Sequence, residues 1–178
     1  MHDKTSKMVG VAALILACVA SGMGMAADVD TQKEKEFLSK AAGAQKAEMA
    51  FGLMASDRAD NAKVKQFGER MIDDHQKAGM KVKQLALKER VDLPTGMPSM
   101  QKEKAEQFSQ LMGKDFDRAY IGYILKEHKK DVEAFEQSAN GLKDHQVRQW
   151  ASETLPIVKE HLKVAKTIAD DLGISRQP

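Results

Sequence analysis

Apolar residues recur every three or four positions along almost all of the chain after residue 30, which is the spacing of amphipathic α-helices. Helix-stopping sequences interrupt this pattern at Asp60-Asn61, at the Pro- and Gly-containing stretch 93–99, and at Asn140-Gly141. The pattern therefore predicts four long helices, with these approximate limits: Thr31–Ala59, Ala62–Arg90, Asp115–Gly141 and Asp144–Leu172.

The connections between these helices are short, long and short. The long one, residues 91–114, contains a predicted short helix over Met100–Met112 that Gly113 ends. Short loops make helices 1 and 2 antiparallel, and likewise helices 3 and 4. The sequence therefore predicts an all-α fold, a four-helix bundle with one long crossover between helices 2 and 3.

The N-terminus has the pattern of a secretory signal peptide. Two lysines precede the apolar run Met8–Ala20, and small residues follow it up to Ala26. We expect cleavage after residue 26, which leaves one exported, periplasmic domain over residues 27–178. The apolar run is shorter than the ~20 residues of a membrane-spanning helix, so no transmembrane span is expected in the mature chain.

The only cysteine offers an alternative anchor. Cys18 follows Ile15-Leu16-Ala17, which partly resembles a bacterial lipobox, so a lipoprotein anchored through Cys18 is the second interpretation. Cleavage after residue 26 would instead leave a mature chain without cysteine, and therefore without a thiolate nucleophile or a Cys-ligated zinc.

Charge and motifs exclude several classes of function. The full chain has a net charge of +2 and no visible basic face, which argues against nucleic acid as a partner. It contains no nucleophile elbow and no Gly-rich phosphate loop. A protein partner or a homodimer stays open, and apolar residues of the crossover around Met97 and Met100 are one surface for such contacts.

The phrase acid-His-any-Lys occurs three times, at 74–77, 127–130 and 160–163, in three different predicted helices. Each histidine falls on the apolar stripe of its helix, where a buried imidazole must find a hydrogen-bond partner or bind a ligand. Together with one inward carboxylate of helix 1 they form a candidate site for one transition-metal ion, whether zinc, iron, manganese or copper. The candidate ligands are Glu48, His75, His128 and His161.

Further acidic residues surround these candidate ligands. Those beside the histidines are placed to hydrogen-bond a neighbouring imidazole, and one lies three positions after His128 on the same face. These supporting or alternate residues are Asp74, Glu127, Asp131 and Glu160. In the alternative interpretation, the histidines are packing residues of a non-enzymatic envelope module, and each is bonded to an acid on an adjacent helix.

His161 fits the metal hypothesis least well. Helix 3 is expected to end at Gly141. The number of residues from Gly141 to His161 is about one and a half times the number from His128 to Gly141. At ~1.5 Å of rise per residue, the two histidines are expected to differ in height by about 10 Å.

Several separated landmarks resemble a bacterial exported, ferritin-like family of unknown function, whose members are often labelled "predicted outer membrane protein". The landmarks occur in order along residues 31–172, and they include Glu48, Phe67, Met71 to His75, Leu93-Pro94, Phe116 to Tyr120, His128, and Thr154 to Pro156 with His161. This resemblance implies a ferritin-like bundle in the cell envelope and no particular activity.

The di-iron signature of ferritin-like enzymes is absent. Those proteins use Glu-x-x-His on two helices. Here the residues three positions before the histidines are Ile72, Leu125 and Val158. Ferroxidase and oxygen chemistry are therefore not indicated.

Overall fold

The computed structural model describes the backbone of residues 21–174 and the side chains of residues 30–174. These residues contain five α-helices and no strand: α1 Ser21–Arg58, α2 Ala62–Glu89, α3 Ser99–Ser109, α4 Gly113–Gly141 and α5 His145–Asp171. The prediction of an all-α chain is confirmed. Positions 1–20 of the predicted signal peptide, with Cys18, lie outside the described residues.

Two helix starts are capped by side chains. The Asn61 side chain accepts a hydrogen bond from the backbone N–H of Lys63, and Asp144 accepts bonds from the N–H groups of Gln146 and Val147. These bonds satisfy backbone donors that have no partner inside the helix.

Two other helix limits differ from the prediction. Helix α1 extends back to Ser21, the first described residue, rather than beginning near Thr31, and the added segment contains no proline to interrupt it. Gly113 begins α4 instead of ending the short helix. It has a φ of 60°, a backbone conformation that glycine adopts without steric cost.

The four long helices form two hairpins. Helix α1 packs on α2 and α4 packs on α5, while the hairpins meet through α2 against α5 and α1 against α4. Each long helix thus has two long neighbours, an arrangement compatible with a four-helix bundle. The connection from α2 to α4 contains α3, which packs on α1 and α4.

Helices α1 and α2 approach most closely at a pair of glycines. A Cβ atom built on Gly68 would lie 2.8 Å from the carbonyl oxygen of Gly52, and one on Gly52 would lie 2.6 Å from the carbonyl oxygen of Gly68. Any side chain at either position would push the two backbones apart.

Buried carboxylates hold the tight loops at each end of the bundle. Asp117 of α4 accepts hydrogen bonds from the backbone N–H groups of Asp60 and Asn61, between α1 and α2. Glu34 of α1 does the same for the loop between α4 and α5. Each loop is therefore tied to the opposite hairpin.

The apolar core is divided into two clusters. One contains Phe51, Phe67, Phe116, Tyr120 and Ile168, and the other contains Leu38, Val82, Phe135, Val147 and Trp150. On each long helix, a buried polar residue lies between the residues of one cluster and those of the other. These four residues are Gln45, His75, His128 and His161. No helix within residues 21–174 has the length and apolarity of a membrane span.

Candidate metal centre

The three histidines of the repeated phrase meet between the two apolar clusters. Their ring centroids are separated by 5.9 Å for His75 and His128, 5.3 Å for His75 and His161, and 5.4 Å for His128 and His161. All three are buried, and His128 is 0% exposed. One ring nitrogen from each lies within 4.8 Å of the other two.

The expected height difference between His128 and His161 is therefore wrong. Residues 142–144 form a loop that belongs to neither helix. The distance of His128 from the end of α4 at Gly141 and the distance of His161 from the start of α5 at His145 differ by less than one helical turn. Side chains also lean toward the N-terminus of their own helix. In this antiparallel pair the two imidazoles lean toward each other along the bundle axis, which removes the remaining difference.

Hydrogen bonds from outside the cluster orient two of the rings. The Nδ1–H of His75 donates to Oε1 of Gln45 over 2.7 Å, and the Nε2–H of His161 donates to Oδ2 of Asp74 over 2.9 Å. Each of these rings is thereby held in the tautomer that leaves its other nitrogen with a free lone pair. Those nitrogens are Nε2 of His75 and Nδ1 of His161, and both are buried without a hydrogen-bond partner.

Unpartnered buried side-chain atoms are concentrated here. Among the described residues six such atoms occur: Glu48 Oε2, His75 Nε2, Tyr120 Oη, both ring nitrogens of His128, and His161 Nδ1. A buried polar group without a partner costs about 1–3 kcal/mol, so native proteins rarely leave several together.

The cluster favours neutral imidazole. Burial, followed by the neighbouring His128 and His161, holds the pKa of His75 well below its usual value of 6.5. Burial and His161 lower the pKa of His128 to about 3. The backbone carbonyl of Ile124 lies nearby and acts to raise this pKa, although it accepts no hydrogen bond from the ring. Burial also lowers the pKa of His161, against the opposing effect of Asp74. Neutral imidazole is the form that binds metal ions.

The predicted ligand Glu48 joins a second group instead. Single ligand atoms of Glu48, His128 and Asp131 lie within 4.8 Å of one another. Burial, with Asp131 and Glu127 nearby, raises the pKa of Glu48 well above 4.5, and burial with Glu127 raises the pKa of Asp131 to about 7. His128 is common to both groups.

The flanking acids have different partners. Burial works against ionisation of Asp74, but its hydrogen bonds from His161 and Arg70 lower its pKa overall. Glu127 forms an ion pair with Lys130 over 2.7 Å, and Glu160 forms one with Lys163 over 3.7 Å. Only Asp74 of the three therefore reaches an imidazole, and the other two form surface pairs within their helices.

A cavity of about 380 Å³ leads to these residues. All four long helices line it, and Pro98 and Gln101 of the crossover complete it. Its walls include Phe37, Phe135 and several alanines, and its polar lining includes Glu48, Asp74, His75, Asp131 and His161. The exposed side chains of Lys40 and Lys130 mark where it reaches the surface. The site thus has an entry path from solvent.

The three-histidine group fits a tetrahedral ion after a small contraction. Ligand nitrogens at about 2.0–2.1 Å from such an ion lie about 3.3 Å apart. The nitrogens here lie within 4.8 Å of one another, so rotations of the side chains must bring them closer by about 1.5 Å at most.

Two residues of the site were missed by the sequence analysis. Gln45 is buried beside His75, and its signal was its position three residues before Glu48 in a segment otherwise rich in alanine and glycine. The Tyr120 hydroxyl is buried, and burial together with Glu48 raises its pKa well above 10. Its signal was its spacing of two helical turns from His128.

Comparison with known proteins gives one family. A model described as a domain of unknown function, DUF4142, matches residues 20–168. No curated protein matches the chain, and no solved structure does.

Proposed function

We propose that this chain, which belongs to the DUF4142 family of domains of unknown function, binds a transition-metal ion through His75, His128 and His161. The observation that carries the proposal is the set of buried lone pairs on these rings. Each histidine has at least one ring nitrogen that is buried and unpartnered, and one ring nitrogen from each lies within 4.8 Å of those of the other two.

A role in packing alone does not account for this arrangement. It predicts that each buried imidazole is bonded to a polar group on an adjacent helix, so that the core is satisfied. His161 and His75 have one such partner each, but His128 has none, and all three keep unpartnered nitrogens. A bound ion would satisfy one nitrogen from each ring at the same time.

The surroundings support a metal site in two further respects. The hydrogen bond from His161 to Asp74 is the carboxylate–histidine pairing that orients metal-binding imidazoles and increases their basicity. Three neutral nitrogens suit zinc, copper and iron better than they suit manganese, which prefers oxygen ligands. Three protein ligands also leave a fourth position open, and the adjacent cavity gives a small molecule access to it.

We further propose that this is a ferritin-like bundle of the cell envelope. The passage from α2 to α4 through α3 supports the ferritin-like connection, and the basic and apolar N-terminal sequence supports export. N-terminal sequencing of the protein from the periplasmic fraction tests the second part, with Ala27 as the expected first residue.

Thermal unfolding tests the metal proposal. The protein is expressed from its own start codon without a histidine tag, freed of metal, and melted with and without zinc. At a free zinc concentration one hundred times the dissociation constant, the expected stabilisation is about 2.7 kcal/mol. That corresponds to a rise in Tm of about 5–11 °C for a domain of this size.

A matched pair of variants makes the result specific. His75→Ala removes a ring of the cluster, and His145→Ala removes an exposed histidine at the start of α5. We expect the zinc-dependent rise to be clearly smaller in His75→Ala than in the unaltered protein and to persist in full in His145→Ala. Equal shifts in both variants, or no shift in the unaltered protein, would contradict the proposal.

A further inference from the structure

We propose that the centre holds a second divalent cation, bound by Glu48, His128 and Asp131, with the His128 imidazole shared between the two ions. This inference rests on the proposed three-histidine site. It starts from the observation that the two groups of candidate ligands have one member in common, His128.

His128 is suited to join two ions. It is 0% exposed, it lies in both groups, and both its Nδ1 and its Nε2 are buried without a hydrogen-bond partner. An imidazole in a core normally uses at least one nitrogen in a hydrogen bond. A ring with two free nitrogens can give one to each ion. Binding of both ions then releases the single N–H proton of this ring, and any proton carried by Glu48 or Asp131, to the solvent.

The second group brings two carboxylates together, and the nearby charge of Lys130 offsets their repulsion only in part. Glu48 is 5% exposed, and its Oε2 atom is buried without a hydrogen-bond partner. Asp131 lies within 4.8 Å of it, so two carboxylates share one desolvated space. Among the described residues, no lysine or arginine forms an ion pair with either carboxylate. Lys130, the neighbour of Asp131 in the sequence, pairs with Glu127 instead.

A divalent cation between these groups would bring opposite charge to both carboxylates and would occupy the free oxygen of Glu48. Two carboxylates and one imidazole suit a first-row divalent ion, such as zinc, manganese or iron. The shared ligand would be an imidazole, which distinguishes this centre from the carboxylate-rich di-iron sites of ferritin-like enzymes.

The first test is the number of ions bound per chain. The untagged, metal-free protein is titrated with cobalt(II), freed of excess ion by gel filtration, and measured by elemental mass spectrometry. We expect about two ions per chain, falling to about one in Glu48→Gln/Asp131→Asn, because the second group loses its charge while the three histidines remain. Asp131→Asn alone, at a partly exposed position, provides the same comparison if the double variant does not fold. Glu153→Gln, an exposed acid of α5 that belongs to neither group, is the control that keeps both ions.

Each outcome separates the two proposals. One ion in the unaltered protein that the double variant retains overturns the second site and leaves the first standing. One ion that the double variant loses overturns the three-histidine site, and with it the sharing of His128 between two ions. No bound ion overturns both.

The second test addresses the shared ring. Two copper(II) ions joined by one imidazolate couple antiferromagnetically, so the electron paramagnetic resonance intensity per copper is expected to fall below that of the double variant. Two bound copper ions with full intensity would overturn the shared role of His128.

Discussion

His128 and Asp131 are expected to give the metal-free protein opposite dependences of stability on pH. The pKa of His128 is lowered from 6.5 to about 3, mainly by burial. Below pH 6.5 the unfolded chain therefore binds a proton that the folded chain does not, so this histidine removes stability as the pH falls. One pKa unit corresponds to about 1.36 kcal/mol, so the loss between pH 7 and pH 5 is about 2 kcal/mol.

Asp131 acts in the other direction. Burial and Glu127 raise its pKa from 3.8 to about 7, so the folded chain binds a proton that the unfolded chain accepts only near pH 3.8. Stability from this carboxyl therefore increases as the pH falls from 7 toward 3.8, again by about 2 kcal/mol between pH 7 and pH 5. The directions for His75 and Glu48 repeat this opposition, because burial lowers the first pKa and raises the second.

The consequence is a masked pH dependence that Asp131→Asn exposes. Between pH 7 and pH 5 the free energy of unfolding of Asp131→Asn is expected to fall by about 2 kcal/mol more than that of the unaltered protein. Urea unfolding of the metal-free proteins, followed by far-ultraviolet circular dichroism, measures both values. Glu153→Gln, at an exposed position of α5, serves as the control and should follow the unaltered protein. Equal changes for Asp131→Asn and the unaltered protein would refute the assigned pKa directions.

Three further substitutions test the packing and the orientation of the site. Gly68→Ala is expected to lower the free energy of unfolding by about 1–3 kcal/mol, because its Cβ would lie 2.8 Å from a backbone oxygen of α1. Gly122→Ala, where a Cβ would have no atom within 4 Å, should be neutral or stabilising in the same urea unfolding assay. Asp117→Ala removes two bonds from a buried carboxylate to the α1–α2 loop and is expected to cost about 3 kcal/mol in the same assay; a loss below about 1 kcal/mol would contradict that role. Asp74→Asn is expected to weaken zinc binding by about 10–100-fold in competition titrations with a chromogenic chelator, and Glu160→Gln to leave it unchanged; equal affinities would show that Asp74 does not orient a ligand.

The helices were predictable because the periodic pattern is long and uninterrupted. The apolar residues that recur with helical spacing supply the buried core. The start of α1 was wrong, because no proline separates residues 21–30 from the periodic segment that follows. The role of Gly113 was wrong because glycine is common both after and at the start of helices.

The candidate site was predictable in its members but not in its grouping. Helical spacing placed the three histidines on inward faces, and the structure brings them together. The height of His161 was misjudged because loop residues were counted as part of α5 and the lean of the side chains was ignored. The division of Glu48 and Asp131 into a second group depends on how α1 packs against α4, which no spacing within one helix reveals.

The partners of the buried rings were the least predictable. The sequence offered three similar acid-histidine pairs, yet only Asp74 bonds an imidazole, and Gln45 holds another. Which acid faces a ring depends on the rotation of each helix about its own axis. That rotation follows from the packing of the whole stripe rather than from the local phrase.

A crystal structure of the zinc-loaded protein, with anomalous data collected on both sides of the zinc absorption edge, tests the central claim most directly. The account predicts an anomalous peak between His75, His128 and His161, at about 2.0–2.1 Å from one nitrogen of each ring. A map with no peak in the bundle, or with zinc only on exposed carboxylates, would contradict it.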